Sequence, residues 1–150
     1  MGNFVSCFNK SEKYVTFTKK ILDESLFPGW SVNQEKRGVD LVHPLFLGGC
    51  EVKSDFRAHK TGNCFFEWEC SGKPSGLRKY DDLVFWAQWV DATGVLYLLD
   101  ARRLSVELPK VAKYLEGVGD GNASGWLCKL RLVEDLALFK KVLPEEKKGL

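Results

Sequence analysis

The segment Cys64-Phe65-Phe66-Glu67-Trp68-Glu69-Cys70 constrains this chain more than any other. Side chains on a strand alternate between two faces, so Cys64, Phe66, Trp68 and Cys70 share one face while Phe65, Glu67 and Glu69 share the other. A strand with one apolar face needs hydrogen-bonded neighbours and a layer packed on that face. The chain must therefore build a sheet, and the rest of the sequence has to supply its partners and cover.

Partners are legible on both sides of that segment. Residues 30–34 and 39–42 read as short strands joined by a turn at Lys36-Arg37-Gly38, and residues 50–53 follow the Gly48-Gly49 turn as another. Residues 55–63 read as a polar loop, and Ser71 to Gly76 as a Gly/Ser/Pro loop before a short helix over 77–81. Residues 83–90 and 95–99 fit a hairpin around Asp91-Ala92-Thr93-Gly94, although 77–89 also fits one longer helix. Cover comes from helices. Tyr14, Phe17, Ile21 and Leu22 recur at helical spacing over residues 11–26, opposite Lys10, Lys13, Lys19, Lys20 and Asp23, and Pro28-Gly29 stops the helix. Residues 101–115 read as a second helix that contains Pro109; 117–125 as a glycine-rich loop; 126–143 as mixed; and 145–150 as a frayed tail. The sum is one α/β domain over residues 1–150, with a mixed sheet of about five or six strands between a helix before it and a helix after it.

Composition narrows the function. The chain has 150 residues, 22 basic against 20 acidic, and a net charge of +2, which disfavours a polybasic binder held to nucleic acid by bulk charge. No apolar run approaches the roughly 18–20 residues of a membrane helix, and the N-terminus lacks the basic and apolar regions of a secretory signal. Gly2 and Ser6 match only the loose acylation pattern. Five cysteines without a CxxC spacing read as reduced, mostly buried thiols of a cytoplasmic protein. With only His43 and His59 present, a metal here would be held by oxygens.

Glu51-Val52-Lys53 is the first candidate site. On a strand Glu51 and Lys53 project together while Val52 faces the core. The carboxylate can hold a hard divalent metal, and the lysine can orient or deprotonate water. One carboxylate is a poor Mg2+ site, and Asp40, 11 residues upstream, is placed to approach if its strand pairs antiparallel with that of Glu51. A solvated strand face with a cross-strand ion pair explains the same spacing. The aromatic residues Phe85, Trp86 and Trp89 could stack bases but fit a buried core better.

Gly38-Val39-Asp40-Leu41-Val42, Cys50-Glu51-Val52-Lys53-Ser54-Asp55 and His59-Lys60-Thr61-Gly62-Asn63, followed by the acidic strand and Gly72-Lys73-Pro74-Ser75-Gly76-Leu77, resemble the core of the PD-(D/E)XK nuclease superfamily, in particular small phage-encoded members. No proline immediately precedes Asp40, a departure from the motif. The resemblance implies a restriction-endonuclease-like core, a mixed central β-sheet flanked by α-helices. It implies an Mg2+-dependent DNA endonuclease, with Mn2+ able to substitute, located in the host cytoplasm if phage-encoded. Asp40, Glu51 and the Val52 carbonyl would bind the metal, and Lys53 would activate or position water. Glu67 would join the catalytic group if its strand lay beside that of Glu51, and Glu24 could approach from the first helix. Arg57, Lys60, Thr61, Asn63, Lys73, Ser75 and Lys79, with His59 and Arg78, would meet DNA, and Ser75 with the Gly76 amide could cap a helix that faces a phosphate. A Holliday-junction resolvase of the same superfamily, working as a homodimer, is the alternative within nucleases. A non-catalytic nucleic-acid or protein interaction domain is the alternative outside them. From Lys53 to Lys79 six basic residues face three acidic ones, so that stretch carries +3 against +2 for the whole chain. The excess is concentrated there, which predicts a modest salt dependence of DNA binding.

Overall fold

A computed structural model of the chain describes residues 2–35, 38–46, 48–118 and 121–144, with side chains from residue 12 onward. The expected turn at Lys36-Arg37 and the tail at 145–150 lie outside the described residues, as do the side chains of Cys7 and Lys10. The protein is mixed α/β, and its strands form two sheets rather than the one expected.

The first helix, α1 (Gly2–Ser25), begins earlier than its apolar pattern suggested. Tyr14, Thr18 and Leu22 are buried at i, i+4 spacing. Short strands β1 (Ser31–Val32) and β2 (Leu41–Val42) pair antiparallel, and β2 pairs antiparallel with β3 (Gly49–Asp55). β3 then runs parallel to β6 (Leu83–Val90), which pairs antiparallel with β7 (Val95–Asp100), and β7 with β10 (Phe139–Val142). These form a six-stranded mixed sheet in the order β1-β2-β3-β6-β7-β10.

Of the two readings of the 77–90 stretch, the hairpin is the one observed, with a 3-10 turn at Asp91–Thr93. Its pattern looked ambiguous because β6 is buried on both faces. Ala87 and Trp89 face α1 together with Cys50, Val52, Leu96 and Leu98, while Trp86 and Val90 face the other layer. Trp89 stacks on Tyr14 at 4.9 Å, and its indole Nε1 donates to Thr18 Oγ1 at 2.8 Å. Trp86 and Trp89 are thus core, not base-stacking surfaces.

The second layer is a four-stranded sheet, β5-β4-β9-β8, made of β4 (Asn63–Cys70), β5 (Lys73–Pro74), β8 (Lys113–Val118) and β9 (Ala123–Lys129). The polar loop before β4 contains a short helix, α2 (Ala58–Thr61), entered where Asp55 Oδ1 accepts from the backbone N–H groups of Arg57 and Ala58. Cys64 and Phe66 are buried as the alternation predicts. A bulge between Glu67 and Glu69 then inserts one residue and reverses the facing, so Cys70 is exposed. The helix expected over 101–115 ends early as α3 (Ala101–Val111), because Ala112 is extended and the chain enters β8. The expected loop at 117–125 holds the end of β8 and the start of β9. The mixed stretch after it resolves into the rest of β9, α4 (Leu130–Leu136) and β10. α3 and α4 place Leu104, Leu108 and Val133 into the core shared by the two sheets. Among the described residues no helix is long and apolar enough to cross a membrane.

Candidate functional site

The β2–β3 register builds the site. Leu41 lies opposite Cys50, so Asp40, one residue before β2, falls beside Glu51. Asp40 Oδ2 accepts from the Val52 backbone N–H at 2.8 Å, which fixes its carboxylate against the strand. Within a strand one residue's N–H and C=O point the same way, so the Val52 carbonyl faces this side as well. Among the described residues β3 has no strand partner on that side past Cys50. Its free edge opens on a cavity of about 390 Å³ lined by Asp40, Glu51, Lys53, Lys79, Phe56, Tyr80 and Val15 among others.

Glu51 is only 7% exposed and hydrogen bonds Asp40. Burial, then the bond to and the charge of Asp40, push its carboxyl up to about 8, with Lys53 and Lys79 opposing the shift. Two carboxylates this close cannot both carry full charge without a cation or a shared proton. Lys53 is exposed and follows Glu51 on the same face. Among the described residues no group of three or more His, Cys, Asp and Glu side chains converges; the acidic centre is the Asp40–Glu51 pair.

Glu67 is not beside Glu51 in a sheet, because β4 pairs with β5 and β9 and not with β3. It lies in the other layer. With Lys53, Ser54, Asp55, Phe65, Trp86 and Gln88 it lines a second cleft of about 160 Å³ on the other side of Lys53. Its Oε2 accepts from the Ser75 hydroxyl. Ser75 is therefore engaged with Glu67 and does not cap a helix, and the helix expected after it is a three-residue 3-10 turn, Gly76–Arg78. Glu24 is exposed on α1 and lines a separate pocket with Phe17 and Lys141, away from Asp40.

The expected DNA contacts divide by position. Lys79 lines the Asp40–Glu51 cavity. Arg57, Thr61 and Asn63 rim an apolar groove beyond Asp55, with Phe65, Leu115 and Leu127 in it. Thr61 and Asn63 also bond each other across the turn that Gly62 closes, with Asn63 N–H donating to Thr61 Oγ1 at 3.2 Å. Lys60, His59 and Lys73 are exposed. Arg78 pairs with Glu69 at 3.0 Å. His43 is buried, accepting from Leu45 N–H at Nδ1 and donating from Nε2 to the Pro28 carbonyl at 2.7 Å, a structural role.

Sequence reasoning missed Gln88. It lies on β6 directly across from Lys53, is 2% exposed, and its Oε1 accepts from Trp86 Nε1 at 2.8 Å. The signal was present: Gln88 is the one polar side chain in Leu-Val-Phe-Trp-Ala-Gln-Trp-Val, and burying an amide is costly unless it is satisfied. In comparisons with known proteins, no family model matches the chain, and neither a curated protein nor a solved structure is similar enough to match.

Proposed function

We infer that the chain is a metal-dependent nuclease of the PD-(D/E)XK type with a restriction-endonuclease-like core, hydrolysing DNA phosphodiester bonds at Asp40, Glu51 and Lys53. One observation carries this reading: Asp40, Glu51 and Lys53 line a single open cavity, with the buried Glu51 carboxyl against the half-buried Asp40. That is the arrangement the Asp and Glu-x-Lys motif requires, an Asp at one strand end and the Glu-x-Lys on the next strand.

The donor set also fits a hard cation. Two carboxylates and a carbonyl are all oxygen, and a divalent ion would replace the proton they share. When bound by Asp40, Glu51 and the Val52 carbonyl, Mg2+ or Mn2+ supplies Lewis-acid polarisation of a phosphate and acidifies its water. Lys53, which lines both the acidic cavity and the cleft beside it, positions water. Lys79, across the cavity, offsets phosphate charge, while Arg57, Lys60 and Lys73 sit outward where a DNA backbone would pass. The buried Cys50, Cys64 and Cys128 are free thiols, which supports a reducing, cytoplasmic setting.

The test is cleavage of plasmid, linear and four-way-branched DNA by purified protein with Mg2+ or Mn2+. Cleavage that Lys53→Ala reduces by about a thousandfold is expected, and preference for the four-way junction would mark a resolvase. No cleavage beyond that of Lys53→Ala on any of the three substrates overturns the reading.

A further inference from the structure

The second cleft, on the far side of Lys53, holds a polar group that neither the fold nor the acidic pair accounts for. Gln88 is 2% exposed, and its Oε1 is held by the Trp86 indole at 2.8 Å. The side chain lines the cleft, and the hydrogen bond it makes to a described side chain is through Oε1, which leaves the carboxamide NH2 to the cleft. Gln88 lies opposite Lys53 in the β3–β6 register, so both project from the same face of neighbouring parallel strands. Glu67 completes the cleft from the other sheet. Its Oε2 is occupied by Ser75, and its Oε1 has no partner among the described residues. Asp55 lines the same cleft, with its Oδ1 accepting two backbone N–H bonds at 2.8 Å.

An amide donor, an ammonium and a carboxylate oxygen therefore surround a space of about 160 Å³. A water molecule needs two to four polar partners, with lone pairs taking donors and protons taking an acceptor. A phosphate would meet both Asp55 and Glu67 as repelling carboxylates, so water is the better occupant.

We propose that Gln88 is a further catalytic residue, which with Lys53 and Glu67 holds the attacking water of the phosphodiester hydrolysis inferred above; this rests on that nuclease reading. The Gln88 NH2 and the Lys53 ammonium donate to the water, and Glu67 Oε1 accepts from it. In the step, the water oxygen bonds to phosphorus as one P–O ester bond breaks. The water's proton passes to Glu67, and the leaving alkoxide takes a proton from solvent. Trp86 is the positioning residue, since its indole sets which end of the Gln88 carboxamide faces the cleft.

The experiment measures kcat and KM for DNA cleavage by wild type, Gln88→Glu and Gln88→Met, with a thermal melt of each. Gln88→Glu keeps an oxygen for the Trp86 indole and replaces the NH2 donor with an acceptor. Gln88→Met fills the same volume without a donor and decides the matter if the glutamate variant fails to fold. Both variants are expected to lose about a hundredfold in kcat with KM within about twofold of wild type. If the folded variants keep kcat within about threefold while Lys53→Ala is inactive, the Gln88 role is overturned and the nuclease reading stands. A raised KM with kcat unchanged also overturns it, since Gln88 would then hold DNA rather than water. If wild type cleaves no DNA beyond Lys53→Ala, the nuclease reading falls and takes this role with it.

Discussion

On one side of Lys53, Glu51 is buried against a second carboxylate, Asp40, and its charge is suppressed. On the other side, Glu67 is half-buried, accepts a hydrogen bond from the Ser75 hydroxyl, and keeps one oxygen open to a cleft it shares with a buried amide. The first arrangement is electrostatically incomplete, because like charges in a shielded place call for a cation or a proton. The second is a satisfied carboxylate with room for one further bond. Under the proposed nuclease function, the contrast would separate the two halves of a hydrolysis, a cation-holding side and a water-holding side, with one lysine between them.

The sharpest way to break this division is Asp40→Asn. It leaves Glu51 a neutral neighbour and removes half the acidic pair, so cleavage should fall by about a thousandfold, while the Glu67 side is untouched. If Asp40→Asn cleaves within about tenfold of wild type, the first cavity is not the cation-holding side.

Gly76→Ala comes next and attacks the other side. Gly76 sits at φ +55°, and a Cβ there would lie 2.2 Å from the Glu67 carbonyl oxygen. A loss of about 3 kcal/mol in stability is expected by denaturant melt, from the strained backbone and the clash together. A change below about 1 kcal/mol would mean that the turn carrying Ser75 is not locked against β4.

A smaller, pH-dependent effect belongs to the acidic pair. Burial and the neighbouring Asp40 push the Glu51 carboxyl up to about 8, above the value of about 4.3 it has when unfolded. Its contribution is fully present below the unfolded value and is lost as pH rises through the folded one. The metal-free protein should therefore lose thermal stability between about pH 5 and pH 9. Glu51→Gln should flatten that dependence. A profile equally steep in Glu51→Gln assigns the titration elsewhere.

Ser75→Ala should be the mildest. It frees Glu67 without moving the Asp40–Glu51 pair, so cleavage should fall about tenfold with divalent affinity unchanged. Weakened metal binding in this variant would blur the two sides into one.

The legible part of this site is the local part. Glu51 and Lys53 share a face because strands alternate, and Asp40 lies beside Glu51 because one turn joins two short strands. The Glu67 position was not legible, because sheet membership is a long-range property. β4 takes its partner from β9, with Asn63 opposite Lys129, and no local pattern announces that pairing. The bulge before Glu69 turned Cys70 outward for a similar reason, since an inserted residue changes the register without changing composition. The early end of α3 was partly visible, because Lys113 to Val118 continues a pattern that neither helix nor strand periodicity decides alone. Gln88 was overlooked in an apolar run whose polar member was the informative one.

The most direct test of the cation-holding role is a calorimetric titration of wild type and Glu51→Gln with Mn2+ or Mg2+ at about pH 7, repeated in two buffers of different ionisation enthalpy. One site is expected in wild type, with release of about one proton as the ion displaces the one shared by Asp40 and Glu51, and both the site and the proton release should vanish in Glu51→Gln. No binding to wild type, or equal binding with no proton released in both proteins, would contradict it.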